Sequence, residues 1–403
     1  MNQGIIFSIL MTLFGGDPLE ISTGQLPDGR IVVVALTEGP PNQLVSLVQI
    51  EAGTNLSAAN FAVTQFDAGN IFSISPELIS ASGFLYMAAV CDLAACMYRL
   101  DETNPSSWTK NADVAGTALG GAQVHGVTLN AFGALLALSL HTPNALYFMQ
   151  ADPTVAFAAL AFTIVNTINN VASPFDGGTK VSTAIDPNTN DRCLIYRELV
   201  TLAVIGNLVA HCFAGTSALA AVTTLETLNN ATGFVNSIES RALFQAGAFY
   251  FMYFLATGST QLAVLTDPFN VASLAFIQLG LINLATGFPS MSLVLGPAGE
   301  SLYAFWPGSA VAITLATLSL QQLAGFPIND VGPMAALAVF TTVLTIAIFG
   351  AGSVVGTIMT EGTVAPNVVA VPFLSSPTLI ALVLLILAMA LWQFRRVQPD
   401  HRS

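Results

Sequence analysis

Lysine is almost missing from this chain. Two lysines, Lys110 and Lys180, and eight arginines stand against 23 acidic residues in 403. Charged residues reach only 8%, far below the usual quarter of a globular protein. Upstream of Pro377 the imbalance is sharper, with seven basic residues facing 22 acidic ones. Such a body has no basic stripe to neutralise phosphates, which excludes nucleic acid as a partner. It would also be repelled by anionic lipid headgroups. Cysteine is scarce as well, and the four present do not have zinc-site spacing. The four histidines do not fall together in any motif, so no metal–histidine centre is expected. No cofactor motif occurs, and no cofactor is expected.

What the chain has instead is hydrophobic residues, 54% of the total. That rules out a disordered protein and suits a membrane or a densely packed assembly. The apolar residues come in short runs with a long period. Ser237 to Leu279 shows the unit most clearly. A strand begins at Ser237, a turn follows at Gly247, and AFYFMYF is an aromatic strand. The turn Ala256-Thr257-Gly258-Ser259 leads into QLAVL. Asp267-Pro268 breaks that strand, since proline cannot donate to a central ladder. SLAFIQL closes the unit.

Copies run along the chain. The second strand starts near Gly29, Gly83, Gly133, Asp191, Gly247, Gly299 and Thr342, at intervals of 54, 50, 58, 56, 52 and 43 residues. Third strands follow at a matching offset: LVSLVQI, CMYRL, ALYFM, LVAHCF, QLAVL, AVAITLA and SVVGTIM. The break after the third strand recurs at Asp101, Asp152-Pro153 and Asp267-Pro268. A repeated four-stranded unit of about 50 residues resembles a β-propeller blade. Packed radially, each blade covers its neighbour, so strands can be apolar throughout rather than alternating.

The resemblance is to the β-propeller superfamily in general and covers most of the chain. It implies an all-β fold of seven blades over residues 17–374, with six blades as the alternative because the last interval is short. No WD40 or kelch signature is present. Asp101–Thr109 has the turn chemistry of a sialidase Asp-box, but its Asp-to-Trp spacing is too long and the usual glycine is missing.

The ends differ from this body. Residues 5–14, IIFSILMTLF, are too few to span a bilayer. Segment 1–16 reads as a signal peptide, or else as a strand that closes the propeller. Near the other end, Pro377–Phe394 is uncharged for 18 residues and runs into Arg395-Arg396. It reads as a transmembrane helix over 375–394, with Trp392 at the interface. The basic tail 395–403 would face the cytosol and the propeller would face outward. Met334–Gly356 is a rival apolar span, but Gly350-Ala351-Gly352-Ser353 inside it has hairpin character.

Cys91 and Cys96 flank one hairpin turn. Cys193 and Cys212 fall opposite each other if their hairpin is centred near residues 202–203. Opposed strand positions lie within disulfide range, so both pairs are expected as disulfides in an oxidising compartment. Sequons at Asn55 and Asn230 fall in expected loops and fit the same placement.

Ligands of propellers bind at the ends of the central channel, lined by first strands. The candidates there are Ser22, Ser73, His125, Ser182, Ser237, Glu239 and Ser290. His125 is the titratable exception among small hydroxyl residues, and Glu239 would pair with Arg241. Such residues can hydrogen-bond a ligand, and they also fit where inner strands crowd together. His141 is placed in a hairpin turn. Asp186, Asn188 and Asn190 offer oxygens at alternate positions, as in calcium loops, although the loop lacks the glycine and terminal glutamate of an EF-hand.

The expectation is therefore a single-pass, membrane-anchored surface protein of a cell or virus. Its propeller would recognise an extracellular protein or glycan. A carbohydrate-active enzyme and a coat or assembly component are the alternatives.

Overall fold

The computed structural model describes residues 6–9, 18–52, 60–174, 180–201, 204–215, 219–227, 240–255, 259–281, 291–296, 299–306, 309–323, 343–350 and 353–360. Met1–Thr360 form one compact unit; Glu361–Ser403 form a second, outside the described residues.

The first unit is all-β. A short strand, β1 (Ile6–Ile9), precedes the first sheet of β2 (Pro18–Gln25), β3 (Ile31–Thr37), β4 (Asn42–Gln49) and β5 (Phe61–Gly69). The second sheet holds β6 (Ile71–Ile74), β7 (Ile79–Ala81), β8 (Phe84–Cys91), β9 (Ala94–Asp101) and β10 (Asn104–Asn111); here β6 and β7 share the first-strand position, both paired with β8. The third contains β11 (Gly126–Phe132), β12 (Leu135–His141), β13 (Ala145–Ala151) and β14 (Thr163–Asn169). The fourth contains β15 (Ser182–Ile185), β16 (Arg192–Thr201), β17 (Val204–Phe213) and β18 (Ala220–Glu226). The fifth contains β19 (Ser240–Gln245), β20 (Ala248–Phe254), β21 (Ser259–Leu265) and β22 (Leu274–Leu281). The sixth contains β23 (Ser292–Leu295), β24 (Ser301–Trp306), β25 (Ser309–Thr314) and β26 (Ser319–Gln322). Each is an antiparallel meander in chain order. Finally β27 (Val343–Gly350) and β28 (Ser353–Thr360) form a hairpin, and β1 pairs with β28 to make a three-stranded sheet.

First strands of successive sheets lie side by side, from β2 through β6, β11, β15 and β19 to β23. This places one edge of every sheet around a common axis, the arrangement of a β-propeller. The cores sit between sheets. Val32, Val34 and Leu36 of the first sheet pack with Leu85, Met87 and Tyr98 of the second. Further clusters join the second to the third, the third to the fourth, and so on to the sixth. A sheet covered on both faces has no solvated side. Hence β3 and β20 are buried at all seven positions, which explains why IVVVALT and AFYFMYF do not alternate.

In each of the first six sheets a left-handed residue precedes the long strand that follows the first-strand position. Glycine serves at Gly29, Gly83, Gly133, Gly247 and Gly299, and Asn190 takes the place in the fourth sheet. At Gly247 φ is +78° and a Cβ would meet nothing within 4 Å. The requirement there is conformational alone. Gly247→Ala is expected to cost about 1–2 kcal/mol, the penalty for a left-handed L-residue. Gly247→Asn should cost less. Thermal melts of the two variants check this ordering.

Several expectations meet the structure here. Both disulfides are present, Cys91–Cys96 with Cα atoms 5.9 Å apart and Cys193–Cys212 with Cα atoms 4.0 Å apart. The second pair sits directly across the ladder of β16 and β17. The hairpin reading of Gly350–Ser353 holds, since β27 and β28 pair there and the segment is not a helix. Four residues of the apolar run near the N-terminus, Ile6–Ile9, are the strand β1. His141 is not in a turn: it ends β12 and is fully buried. No helix among the described residues is long and apolar enough to cross a membrane. The span Pro377–Phe394 and its tail lie outside the described residues, as do Asn55, Asn230, Ser237, Glu239 and Ser290.

Candidate functional site

The first strands run parallel to one another, as the parallel bridge from Thr23 of β2 to Glu77 shows. Their N-terminal ends therefore share one mouth of the channel. Glu20, Ser73, His125, Lys180, Ser182 and Arg241 all lie within two residues of these ends.

Glu20 is the centre of a polar cluster at this mouth. One carboxylate oxygen accepts from the Ile74 backbone N–H at 2.6 Å. The Ser73 hydroxyl donates to both oxygens, at 2.9 and 3.2 Å. The Lys180 ammonium forms an ion pair with the same carboxylate. Glu20 belongs to the first sheet and Lys180 leads into the fourth, so the pair joins sheets that are not neighbours and reaches across the lumen.

The other small residues near the axis mostly join strands. The Ser182 hydroxyl accepts from the Ala242 backbone N–H at 2.8 Å, and the Ser240 hydroxyl donates to the Lys180 carbonyl at 3.1 Å. Thr128 and Asn130 donate to the Val181 and Thr183 carbonyls of the next first strand. Ser22 is fully buried, and its hydroxyl meets no partner. The inner strands crowd together: a Cβ on Gly24 would come within 2.5 Å of the Leu78 Cβ. His125 Nδ1 lies 2.7 Å from the Ser173 hydroxyl, and its backbone N–H donates to the His141 carbonyl. Burial drives the His141 imidazole down to about 3, and neighbouring His125 adds to the shift.

Asp186, Asn188 and Asn190 lie at the far end of β15, away from this mouth. They form a hairpin turn: the Asp186 carboxylate accepts from the Asn188 N–H at 2.8 Å, and the Asp186 carbonyl from the Asn190 N–H at 2.9 Å. Among the described residues no three His, Cys, Asp or Glu side chains gather as metal ligands. Three arginines are also away from the axis. Arg99 lies over Phe84 and Phe157, and Arg192 over Phe148 at 5.0 Å. Arg197 is buried against Glu226.

One residue that sequence reasoning missed is Glu77. The first strand of the second sheet is interrupted between β6 and β7. There the chain leaves β8 and bonds to the preceding sheet instead: Thr23 N–H donates to the Pro76 carbonyl, and Leu78 N–H to the Thr23 carbonyl. Interruptions of this kind re-aim side chains. Glu77 keeps an exposed surface, yet the protein around it desolvates its carboxyl. Burial raises its pKa, and the Arg241 guanidinium partly offsets this. Its carboxyl makes no hydrogen bond or ion pair among the described residues. Pro76-Glu77 inside an apolar first strand was the available signal. For Lys180 the signal was rarity.

No known protein family profile matches this sequence, and no curated protein does. Among solved structures, YCF48 from Cyanidioschyzon merolae is similar over 88% of this chain and 98% of its own, with a TM-score of 0.50 and 10% identity. A chain of the mitotic checkpoint complex is similar over 89% of this chain and 95% of its own, with a TM-score of 0.50 and 12% identity. An α-L-arabinanase from Penicillium chrysogenum covers 89% of this chain and 98% of its own, at a TM-score of 0.46 and 12% identity. At such identities a likeness concerns the fold and not the activity.

Proposed function

We propose that this protein is a surface recognition module that binds a glycan at the channel mouth around Glu20. The cross-lumen contact of Glu20 with Lys180, Ser73 and the Ile74 N–H carries this reading. It gathers a carboxylate, an ammonium, a hydroxyl and a backbone donor within one small opening. Such a set suits a ligand dense in hydroxyl groups better than the broad apolar face of a protein partner. The two disulfides favour an oxidising compartment. With Pro377–Phe394 as the anchor, the propeller would stand outside the membrane, and we read the sheet of β27, β28 and β1 as its seventh blade.

Detergent-solubilised full-length protein applied to a glycan array tests the binding. Wild type is expected to retain a defined set of glycans, and Glu20→Gln/Lys180→Met to lose them. No retention by wild type, or equal retention by the variant, overturns the reading. Protease protection on membranes from expressing cells tests the placement. A body accessible from the cytosolic side would overturn it.

A further inference from the structure

We propose that the Glu20 carboxylate is a built-in stand-in for a ligand's carboxylate, and that the glycan taken up at this mouth carries one, as a uronic acid does. The inference rests on the glycan-binding reading above and names the class of glycan.

The Ile74 N–H, the Ser73 hydroxyl and the Lys180 ammonium all converge on Glu20, which is the acceptor for each. Together they make a receptor for a carboxylate. Its parts are fixed by other contacts. Ser73 and Ile74 pair in register with Val90 and Ala89 of β8. The chain at Lys180 is held from both sides: the Ser240 hydroxyl donates to the Lys180 carbonyl at 3.1 Å, and the Thr128 hydroxyl to the Val181 carbonyl at 2.7 Å. The receptor backbone therefore stays in place without Glu20. Ser73 and Ile74 are buried, so their donors need an acceptor. If Glu20 leaves, another acceptor has to take its place.

Glu20 is placed to leave. The register of β2 on β3 slips between Pro18 and Glu20, at the start of the strand. On the other side of the same contact, the register of β6 on β8 slips between Ile71 and Ser73. Bulges of this kind re-aim side chains and are frequent beside functional sites. The Glu20 and Lys180 side chains are 14% and 26% exposed, so a ligand from solvent reaches both.

Charge decides which glycan fits. A sugar hydroxyl replaces Glu20 poorly, because hydrogen bonds with an ionised partner are about twice as strong as neutral ones. A ligand carboxylate restores all three contacts. A dense polyanion is disfavoured, since the body upstream of Pro377 sets 22 acidic residues against seven basic ones and repels it. An isolated carboxylate, as on a terminal uronic acid, meets both conditions.

Titration of detergent-solubilised full-length protein tests this. The probes are glucuronate-capped oligosaccharides and their carboxyl-reduced forms, in which a hydroxymethyl group replaces the carboxylate. Wild type must first give up Glu20, which lowers its apparent affinity by the fraction of molecules with an open receptor. Glu20→Ala removes that cost and is expected to bind the glucuronate probes about 10-fold more tightly than wild type. Glu20→Gln keeps the volume without the charge and should shift affinity in the same direction, so the test survives if the alanine variant does not fold. Lys180→Met should lose the glucuronate probes. Equal or weaker binding by the Glu20 variants would mean that Glu20 is structural or holds the sugar itself, and would overturn the proposal. Equal binding of both probe forms by wild type removes the carboxylate and leaves recognition standing. No binding of either form or of array glycans, by wild type or by the Glu20 variants, removes both readings.

Discussion

Glu226→Ala is expected to destabilise the propeller by about 3–5 kcal/mol, the cost of leaving a buried charge without its partner. Glu226 ends β18 and meets Arg197 of β16 at 2.6 Å from Nη2 to Oε2. The Arg197 side chain is 0% exposed and that of Glu226 11%. They stand among the residues packed between the fourth and fifth sheets. Tyr253 of the fifth sheet donates to the Leu225 carbonyl beside them, and its ionisation is suppressed by burial and by Glu226. Removing the carboxylate leaves a guanidinium that water cannot reach. Arg197→Met/Glu226→Leu should recover most of the loss, because it removes both charges and keeps the volume. Chemical denaturation of the three proteins reads the difference. By contrast, Asp28→Ala at the more exposed Arg30–Asp28 contact should change stability by less than about 1 kcal/mol. A loss below about 1 kcal/mol for Glu226→Ala would mean that the pair is hydrated in solution.

The same pair shows which parts of this protein can be read from its sequence. Arg197 was legible as a second-strand residue, because RCLIYRE keeps the period of its copies. Its partner was not, since Glu226 is reached only after the ladder from β16 through β17 to β18 is in place. The repeat was visible because blade packing acts on every unit alike: each second strand must be apolar on both faces, and each turn before it needs a left-handed residue. Cys193 and Cys212 were legible for a related reason, since hairpin register is a local property. The channel mouth obeys no such repetition. Glu20 and Lys180 are 160 residues apart and meet only because the sheets close around an axis. Ser73 and Ser182 lie on the first strands β6 and β15. Their different uses, one on the Glu20 carboxylate and the other on a neighbouring strand, depend on contacts between sheets. Glu77 departs from the repeat altogether. A strand that follows the pattern cannot announce where it will break it, except through Pro76.

His141 escaped for the opposite reason: a histidine after LLALSL reads as a turn residue, yet it ends the strand and lies wholly inside. Its burial leads to a strong dependence of stability on pH. Neither ring nitrogen meets a hydrogen-bond partner. Burial and the nearby His125 hold the imidazole neutral down to about pH 3. In the unfolded chain the same group protonates near pH 6.5. Between these values the unfolded state binds the extra proton, so stability rises with pH across the window. It is at its full level above about pH 6.5 and falls as the pH drops toward 3. At about 1.36 kcal/mol per pH unit, moving from pH 6.5 to pH 4 should cost about 3 kcal/mol through this residue alone. His141→Leu removes the titrating group and fills its place with apolar volume. Its neutral-pH stability should match or exceed that of wild type, since an unpartnered buried polar group is costly. Its loss on acidification to pH 4 should be smaller than that of wild type by about the amount above. Denaturation midpoints of the two proteins at pH 7, 5.5 and 4 measure this directly. Parallel pH curves would place the His141 ring in contact with water and end the argument. Converging neutral values with diverging acid ones would confirm that an imidazole with no partner is buried next to His125.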